Sequence, residues 1–335
     1  MSLDLPLIWA GLIAVAILAY VILDGFDLGV GMLFPLFKRE AERDTLMNSV
    51  APVWDGNETW LILGGGGLLA AFPLAYSIVL PALYAPLTLM LLGLIFRGVA
   101  FEFRWRTTRW KAVWDWSFAV GSYIAAFTQG IALGGLIQGI KVSGRAYAGG
   151  WWDWLTPFSL ATGLALVLGY SLLGACWLII KTDSEIQARC YSLARRLALG
   201  LVVMIGLVSL WTPFLDPRFF ARWFHWPGLA LTAPMPLLVL AAAWALWRGL
   251  QDKRREKQPF LAALALFVLS YLGLGISFWP LMVPPDITIW QAAAPDASLG
   301  FLLVGAVILL PVILGYTAYA YWVFRGKVDK NAGYH

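Results

Sequence analysis

Apolar stretches of about twenty residues recur along the whole chain and are separated by short polar connections. A helix of that length crosses the hydrocarbon core of a bilayer, so the pattern predicts nine transmembrane helices. The predicted stretches are approximately 7–36, 49–71, 76–98, 113–138, 158–180, 193–212, 228–247, 260–282 and 299–323. The chain is therefore predicted to be an all-α polytopic membrane protein, with residues 1–335 forming a single integral membrane domain.

The basic residues are distributed unevenly between the connections. All but four of the 24 Lys and Arg residues fall in one alternating set of connections and in the C-terminal tail. The four exceptions are Lys141, Arg145, Arg218 and Arg222. By the positive-inside rule, this asymmetry predicts an N-terminus outside and a C-terminus in the cytoplasm. Merging or splitting one stretch would destroy the alternation, so the charges also favour nine helices.

Composition narrows the class of protein further. The chain is 61% hydrophobic and 13% charged, which excludes a soluble domain, and no connection is long enough to fold separately. In a membrane protein, the net charge of +5 reflects topology, so no nucleic-acid partner is expected. The residues before the first stretch lack a basic region, and no secretory signal is expected. Cys176 in a span and Cys190 in a predicted cytoplasmic connection suggest neither a disulfide nor a metal site.

Two acidic residues, Asp24 and Asp27, interrupt the first apolar stretch. A carboxylate inside hydrocarbon costs several kcal/mol, so an intramembrane acid is by default a functional hypothesis. Three residues apart, the two side chains share one face of a helix. Counted from Lys38, a rise of 1.5 Å per residue places Asp27 roughly 16 Å and Asp24 about 21 Å from the cytoplasmic end.

The next two stretches carry Asp55, Glu58 and Glu102, so three consecutive helices bring acids into the predicted cytoplasmic half. A series from Glu102 through Asp55 or Glu58 to the first helix would supply titratable groups from the surface to mid-membrane, as a proton intake path requires. The alternative is that these acids are structural and pair with nearby arginines. The candidate charge partners are Arg97 and Arg104.

Two further patterns concern packing. The glycine run 64–67 lies within an apolar stretch and predicts a close helix–helix contact. Residues 17–28 also faintly resemble residues 167–178. If this similarity reflects a repeat, helices 1–4 (about 7–138) and helices 5–8 (about 158–282) form two four-helix bundles, with helix 9 (about 299–323) peripheral.

Histidine is nearly absent. His225 falls in an outer connection and His335 at the C-terminus, so no span can offer the histidine that usually ligates membrane haem. Zinc, iron–sulfur and nucleophilic-triad spacings are likewise missing from the sequence. No metal site or catalytic residue is therefore predicted in this chain.

Two long motifs resemble a known family. The runs DGFDLGVG at 24–31 and NSVAPVWDGNE at 48–58 closely resemble subunit II of cytochrome bd-type quinol oxidases. The resemblance continues at residues 96–97, 101–104 and 114–116, and more weakly at 311–318. The short chain with compact outer connections looks like the cyanide-insensitive branch of that family.

The resemblance implies a heterodimer with a haem-bearing subunit I, in a bacterial inner membrane. Haem b, haem d and the quinol-oxidising loop are then expected in subunit I. The complex would couple quinol oxidation to reduction of O₂ to water, electrogenically but without pumping. This haem-free subunit would support subunit I and supply part of a cytoplasmic proton path through Asp27, Asp55 and residue 102, with Asp24 nearby. The family pattern has Asp at the last position, where this chain has Glu102.

Several alternatives stay open at this point. The resemblance leaves open a structural quinone or lipid in this subunit and a small single-helix accessory subunit. Buried acids and a repeat would also suit a proton-coupled secondary transporter, although nine spans with opposite-facing termini is an uncommon transporter layout. A pure scaffold is the third hypothesis, and it predicts that Asp27 and Asp55 can be neutralised without loss of turnover.

Overall fold

The computed structural model describes residues 3–328, which are built mainly of α-helices. The helices are α1 (Leu5–Leu33), α2 (Glu40–Asn48), α3 (Trp54–Ala71), α4 (Pro73–Ala82), α5 (Tyr84–Arg106), α6 (Lys111–Gln138), α7 (Pro157–Lys181), α8 (Ser184–Trp211), α9 (Pro217–Phe224), α10 (Gly228–Thr232), α11 (Pro234–Gln251), α12 (Lys257–Phe278), α13 (Ile289–Ala292) and α14 (Asp296–Val323). Two short antiparallel hairpins pair β1 (Val142–Ser143) with β2 (Ala146–Tyr147) and β3 (Leu281–Val283) with β4 (Ile287–Thr288).

Eight helices of the described chain are long and apolar enough to cross a membrane. They correspond to the first predicted stretch and to the third through ninth. The second stretch, predicted at 49–71, becomes α3, which is not among the eight because polar residues and glycines dilute its apolar character. The chain is thus a multi-pass helical membrane protein, and the count of nine spans stays a prediction.

Several predicted boundaries differ from the structure. The third stretch is broken at Leu83 between α4 and α5, because Pro86 lacks the amide hydrogen that would bond the carbonyl of Ala82. Helix α5 then continues to Arg106, well past the predicted end at residue 98. The eighth stretch ends at Phe278, and the residues that follow form the β3–β4 hairpin. Cys190, predicted in a connection, lies buried in α8.

Glycines set the closest helix contacts. A Cβ added to Gly29 of α1 would lie 1.9 Å from the carbonyl oxygen of Tyr170 in α7, and Gly174 of α7 faces the same point. Gly93 of α5 and Gly121 of α6 oppose each other in the same way, at 2.6–2.7 Å from the partner's carbonyl oxygen. Inside a bilayer no hydrophobic effect drives helices together, so their association depends on close packing. Small residues at the contact let the two backbones approach closely.

The glycine run 64–67 makes the predicted helix contact with two of its four members. A Cβ on Gly64 would lie 3.2 Å from Ile17, and one on Gly67 would lie 3.3 Å from Ile13, both residues of α1. The two glycines between them have nothing within 4 Å. Gly64 and Gly67 therefore form part of the contact between α3 and α1, whereas the two glycines between them lie on the outer side of the helix.

The helices pack around one shared core. Helix α1 packs on α3, α6 and α7, and α6 also packs on α5 and α7. Helix α7 packs in turn on α8 and α12, and α11 packs on α12 and α8. One hydrophobic cluster draws residues from all of these helices, and the division into two four-helix bundles stays a prediction. Helix α14 lies outside, against α1 and α3, with Leu299 as its buried residue.

The connections rich in Lys and Arg lie at one end of the bundle, here named the basic end, where polar contacts join them to one another. The contacts are Arg39–Glu185, Lys111–Glu40, Gln187–Glu256 and Lys327–Glu256. They join every connection that the charge count assigned to the cytoplasm. Lys111 acts on Glu40 by a hydrogen bond and by its charge, and both hold the pKa of that exposed carboxyl below its ordinary value.

The remaining connections meet at the opposite end. Ile140 donates its amide hydrogen to the carbonyl of Pro284 at 2.8 Å, and Arg218 bonds the carbonyl of Pro285 at 2.7 Å. The indole of Trp290 bonds Asp4 at 3.0 Å near the N-terminus. The amide of Ala294 bonds the carbonyl of Ala71 at the end of α3 at 2.9 Å. Helix α3 thus runs from the basic end to the opposite end.

Candidate functional site

A buried ion-pair cluster lies where α1, α3 and α5 meet. The guanidinium of Arg97 donates from Nη1 to Asp24 Oδ1 at 2.5 Å and from Nη2 to Glu58 Oε2 at 2.6 Å. The side chains of Arg97 and Asp24 are 0% exposed, whereas that of Glu58 is 27% exposed. The close α5–α6 contact places Arg97 here, because a Cβ on Gly121 would lie 2.9 Å from the Arg97 amide nitrogen. The arginine therefore joins an interior acid to one that reaches the surface.

Asp27 lies one turn further along the same helix and has a different partner. Its Oδ2 accepts a hydrogen bond from Asn57 Nδ2 at 2.7 Å, and the Tyr321 hydroxyl donates to Asn57 Oδ1 at 2.9 Å. The Asn57 amide is thereby oriented by α14, the last helix, and presents its donor side to the carboxylate. This chain of contacts connects the acids of α1 to the outer helix.

Several polar atoms around the cluster are buried and have no hydrogen-bond partner in the described chain. They are Tyr20 Oη, Asp24 Oδ2, Asp27 Oδ1, Trp60 Nε1, Arg97 Nε and Tyr170 Oη. Three of these atoms belong to Tyr20, Asp24 and Asp27, which follow one another at intervals of four and three residues and so share one face of α1. Buried polar atoms are normally hydrogen-bonded, and water is the usual partner where the protein offers none. The junction is thus a polar interior suited to water.

Asp55 and Glu102 lie outside this interior. The rings of Trp54 and Phe101 stack with centroids 4.7 Å apart, and each of the two acids directly follows one of these rings. Asp55 is exposed, and Glu102 has a side chain that is 55% exposed and pairs with Arg106 at 3.4 Å. Of the five predicted acids, the structure therefore brings three together and leaves two on the surface beside them.

Arg104 belongs to a second network, with acids that the sequence did not single out. Its Nε donates to Asp115 Oδ1 and its Nη1 to Asp44 Oδ1, both at 2.6 Å. Arg43 bonds the other oxygen of Asp115 at 2.7 Å, and Lys111 lies 3.6 Å from Asp44. Arg104 is thus not a partner of the five predicted acids. It ties α2, α5 and α6 together at the basic end.

No group of His, Cys, Asp and Glu in residues 3–328 has an arrangement that could hold a metal ion. His225, the single histidine of that range, is exposed after α9, and His335 lies outside the described residues. Both cysteines are free and buried.

Comparison with known families matches the model for "Cytochrome bd terminal oxidase subunit II" to residues 5–324. The chain belongs to this family. This result confirms the resemblance seen at residues 24–31 and 48–58. The placement in the cyanide-insensitive branch stays a prediction.

Individual relatives agree over nearly the full length. "Cytochrome bd-I ubiquinol oxidase subunit 2" of Escherichia coli (strain K12) is 30% identical, covering 98% of this chain and 96% of the relative. "Cytochrome bd ubiquinol oxidase subunit 2" of Bacillus subtilis (strain 168) is also 30% identical, covering 97% of each chain. Relatives of this chain are thus subunits of a respiratory oxidoreductase.

The fold has a solved counterpart. A chain of the bd oxidase from Geobacillus thermodenitrificans superposes with a TM-score of 0.79, covering 96% of this chain and 99% of that one. The two are 18% identical, so the similarity establishes the fold alone.

Proposed function

We propose that this chain is the haem-free subunit II of a terminal quinol oxidase in a bacterial inner membrane. The complex oxidises quinol and reduces O₂ to water without pumping, and its b and d haems reside in a partner subunit I. Family membership over residues 5–324 carries this proposal. The scarcity of histidine supports it, because His225 of the described chain lies in an exposed connection. A small accessory subunit and a held quinone or lipid are proposed as further components.

The proposed topology has nine spans, with the N-terminus outside and the C-terminus in the cytoplasm. Two observations support it. The connections richest in Lys and Arg meet at the basic end, which the positive-inside rule assigns to the cytoplasm. Helix α3 runs between the two ends, as its contacts near Asn57 and at Ala71 indicate.

Proton conduction is the second part of the proposal. Asp55 and Glu102 collect protons at the basic end, and partly exposed Glu58 passes them toward Asp24 beside Arg97. The buried polar atoms without protein partners support a water-assisted route, since hopping needs a titratable or water-binding group every few ångströms. Asp27 is a neighbouring acceptor on the same face of α1. The proposed role in supporting subunit I involves the same helices, because those that carry the acids also contribute to the hydrophobic core of this chain.

Purification through a tag on this chain tests the proposal, with Asp55→Asn compared to wild type. We expect a co-purifying partner with b- and d-type haem spectra, and a quinol-dependent O₂ consumption that falls about tenfold or more in the variant. The haem content should stay unchanged, because Asp55 is exposed and contributes nothing to the core. Asp252→Asn is the matched control, because Asp252 is an acid at the same end whose side chain is 43% exposed and which pairs with Arg255, away from the cluster.

The other outcomes discriminate between the alternatives. Full turnover in Asp55→Asn with intact haem would remove Asp55 from the path and favour a scaffold. A purified chain without haem or partner would contradict the oxidase proposal, and transport by that chain alone in vesicles would establish the transporter.

A further inference from the structure

A cavity of about 310 Å³ opens at the basic end, away from the carboxylate cluster. Three segments enclose it: the C-terminal residues after α14, the end of α7, and the connection between α2 and α3. Residues 324–328 are held in place, because the amide of Val328 bonds the carbonyl of Lys181 at 2.8 Å. The ammonium of Lys181 in turn donates to the carbonyl of Phe324. The cavity is thus a built feature of the fold.

Three cations line this cavity, namely Lys181, Arg325 and Lys327. One of them is neutralised, since Lys327 pairs with Glu256 at 2.7 Å. Burial acts to raise the pKa of Glu256, but hydrogen bonds from Lys327 and Gln187 outweigh burial and hold this pKa below its ordinary value. Glu256 therefore stays ionised at neutral pH, and Lys327 adds little free charge to the wall.

The other two cations have no acidic partner among the residues that the structure describes. Within residues 3–328, neither Lys181 nor Arg325 makes an ion pair. Lys181 lies 4.9 Å from the centroid of the Trp177 ring, and Arg325 lies 4.8 Å from that of Trp322. A basic residue whose only role is to set membrane orientation is expected to point into water. Lys181, by contrast, is only 7% exposed. The wall thus presents two positive charges that no acid of residues 3–328 neutralises, one of them buried.

We propose that this cavity binds an anionic phosphate group, supplied either by a phospholipid headgroup or by inorganic phosphate. Lys offers a point charge and Arg a planar fork of donors, and both suit phosphate oxygens. Basic pockets on the cytoplasmic side of helix bundles attract anionic lipids, and the proposed topology, on which this inference rests, places the basic end on that side. Tryptophans beside both cations are typical of the headgroup region.

Calorimetric titration of the purified complex in a non-ionic detergent tests this site. The probes are dioctanoyl-phosphatidylglycerol, dioctanoyl-phosphatidylcholine and inorganic phosphate. We expect Arg325→Gln to weaken binding of the anionic probe roughly fivefold, the loss typical of one cation near a membrane surface. Arg325 is exposed and outside the core, so this variant should fold. Arg254→Gln, an exposed cation at the same end that does not line the cavity, should bind like wild type.

Each outcome decides the matter. Binding of phosphatidylglycerol alone, weakened in Arg325→Gln, assigns a lipid headgroup. Binding of inorganic phosphate with the same dependence assigns the phosphate itself. Equal affinity for phosphatidylcholine, equal loss in Arg254→Gln, or no binding of either anion would overturn the proposal. Failure here would leave the oxidase proposal intact, because the haem spectrum and O₂ consumption are measured separately.

Discussion

Arg97→Gln will lower the free energy of unfolding of the subunit by about 3–5 kcal/mol, the usual effect of breaking a buried ion pair. Asp24, which is 0% exposed, would keep its carboxylate without the cation that now lies 2.5 Å away. Glu58 would lose the same partner at 2.6 Å. The thermal midpoint of the purified complex and its haem yield measure the effect. Arg109→Gln is the control, because Arg109 is exposed between α5 and α6.

A combined variant separates stability from proton conduction. Replacing Arg97 and Asp24 by Gln and Asn, together with Glu58→Gln, removes the cation and the two acids bonded to it, so neither member of the cluster is left as an unpaired charge. We expect the thermal midpoint to recover toward wild type while O₂ consumption stays low. A stable Arg97→Gln variant would contradict the importance of the ion pair. Full turnover in the combined variant would show that the cluster is structural only.

Gly29→Ala will disrupt the packing of α1 on α7. The added methyl would lie 1.9 Å from the carbonyl oxygen of Tyr170, a backbone atom that cannot rotate away. The helices must separate, which costs about 1–3 kcal/mol or more for overpacking of this kind. Because α1 also carries Asp24 and Asp27, turnover should fall together with stability.

The matched control lies on the same helix. Gly11 has nothing within 4 Å of the position its Cβ would take, so Gly11→Ala should leave the thermal midpoint unchanged or slightly raised. Equal midpoints for the two alanine variants would contradict a close α1–α7 contact at Gly29.

The helical layout was largely predictable from the sequence. Apolar length and the alternation of basic connections placed most helices, since both follow from the energetics of the bilayer. Helix ends were harder to predict. The break at Leu83 depends on Pro86 within an otherwise apolar stretch, and α5 continues to Arg106 because tertiary contacts hold its charged last turns. Hydropathy is insensitive to both effects.

The candidate site was predictable in part. Asp24 and Asp27 stood out because carboxylates are costly in hydrocarbon. Glu102 lies on the surface because five residues beyond Arg97 correspond to a rotation of roughly 140° around the helix. Pairing across the fold was not visible, since Tyr321 reaches Asn57 across 264 positions in the sequence. Arg104 likewise bonds Asp44, which lies 60 positions away in the sequence.

Proton uptake during O₂ reduction is the most direct test of the proposed path. Glu58→Gln keeps the shape of the side chain that joins the exposed acids to buried Asp24, but it cannot carry a proton between them. With the complex in vesicles and a pH indicator on the cytoplasmic side, we expect haem reduction by quinol at the wild-type rate. Proton uptake should slow about tenfold or more, and Asp252→Asn should behave as wild type. Unchanged proton uptake in Glu58→Gln would contradict conduction through this cluster.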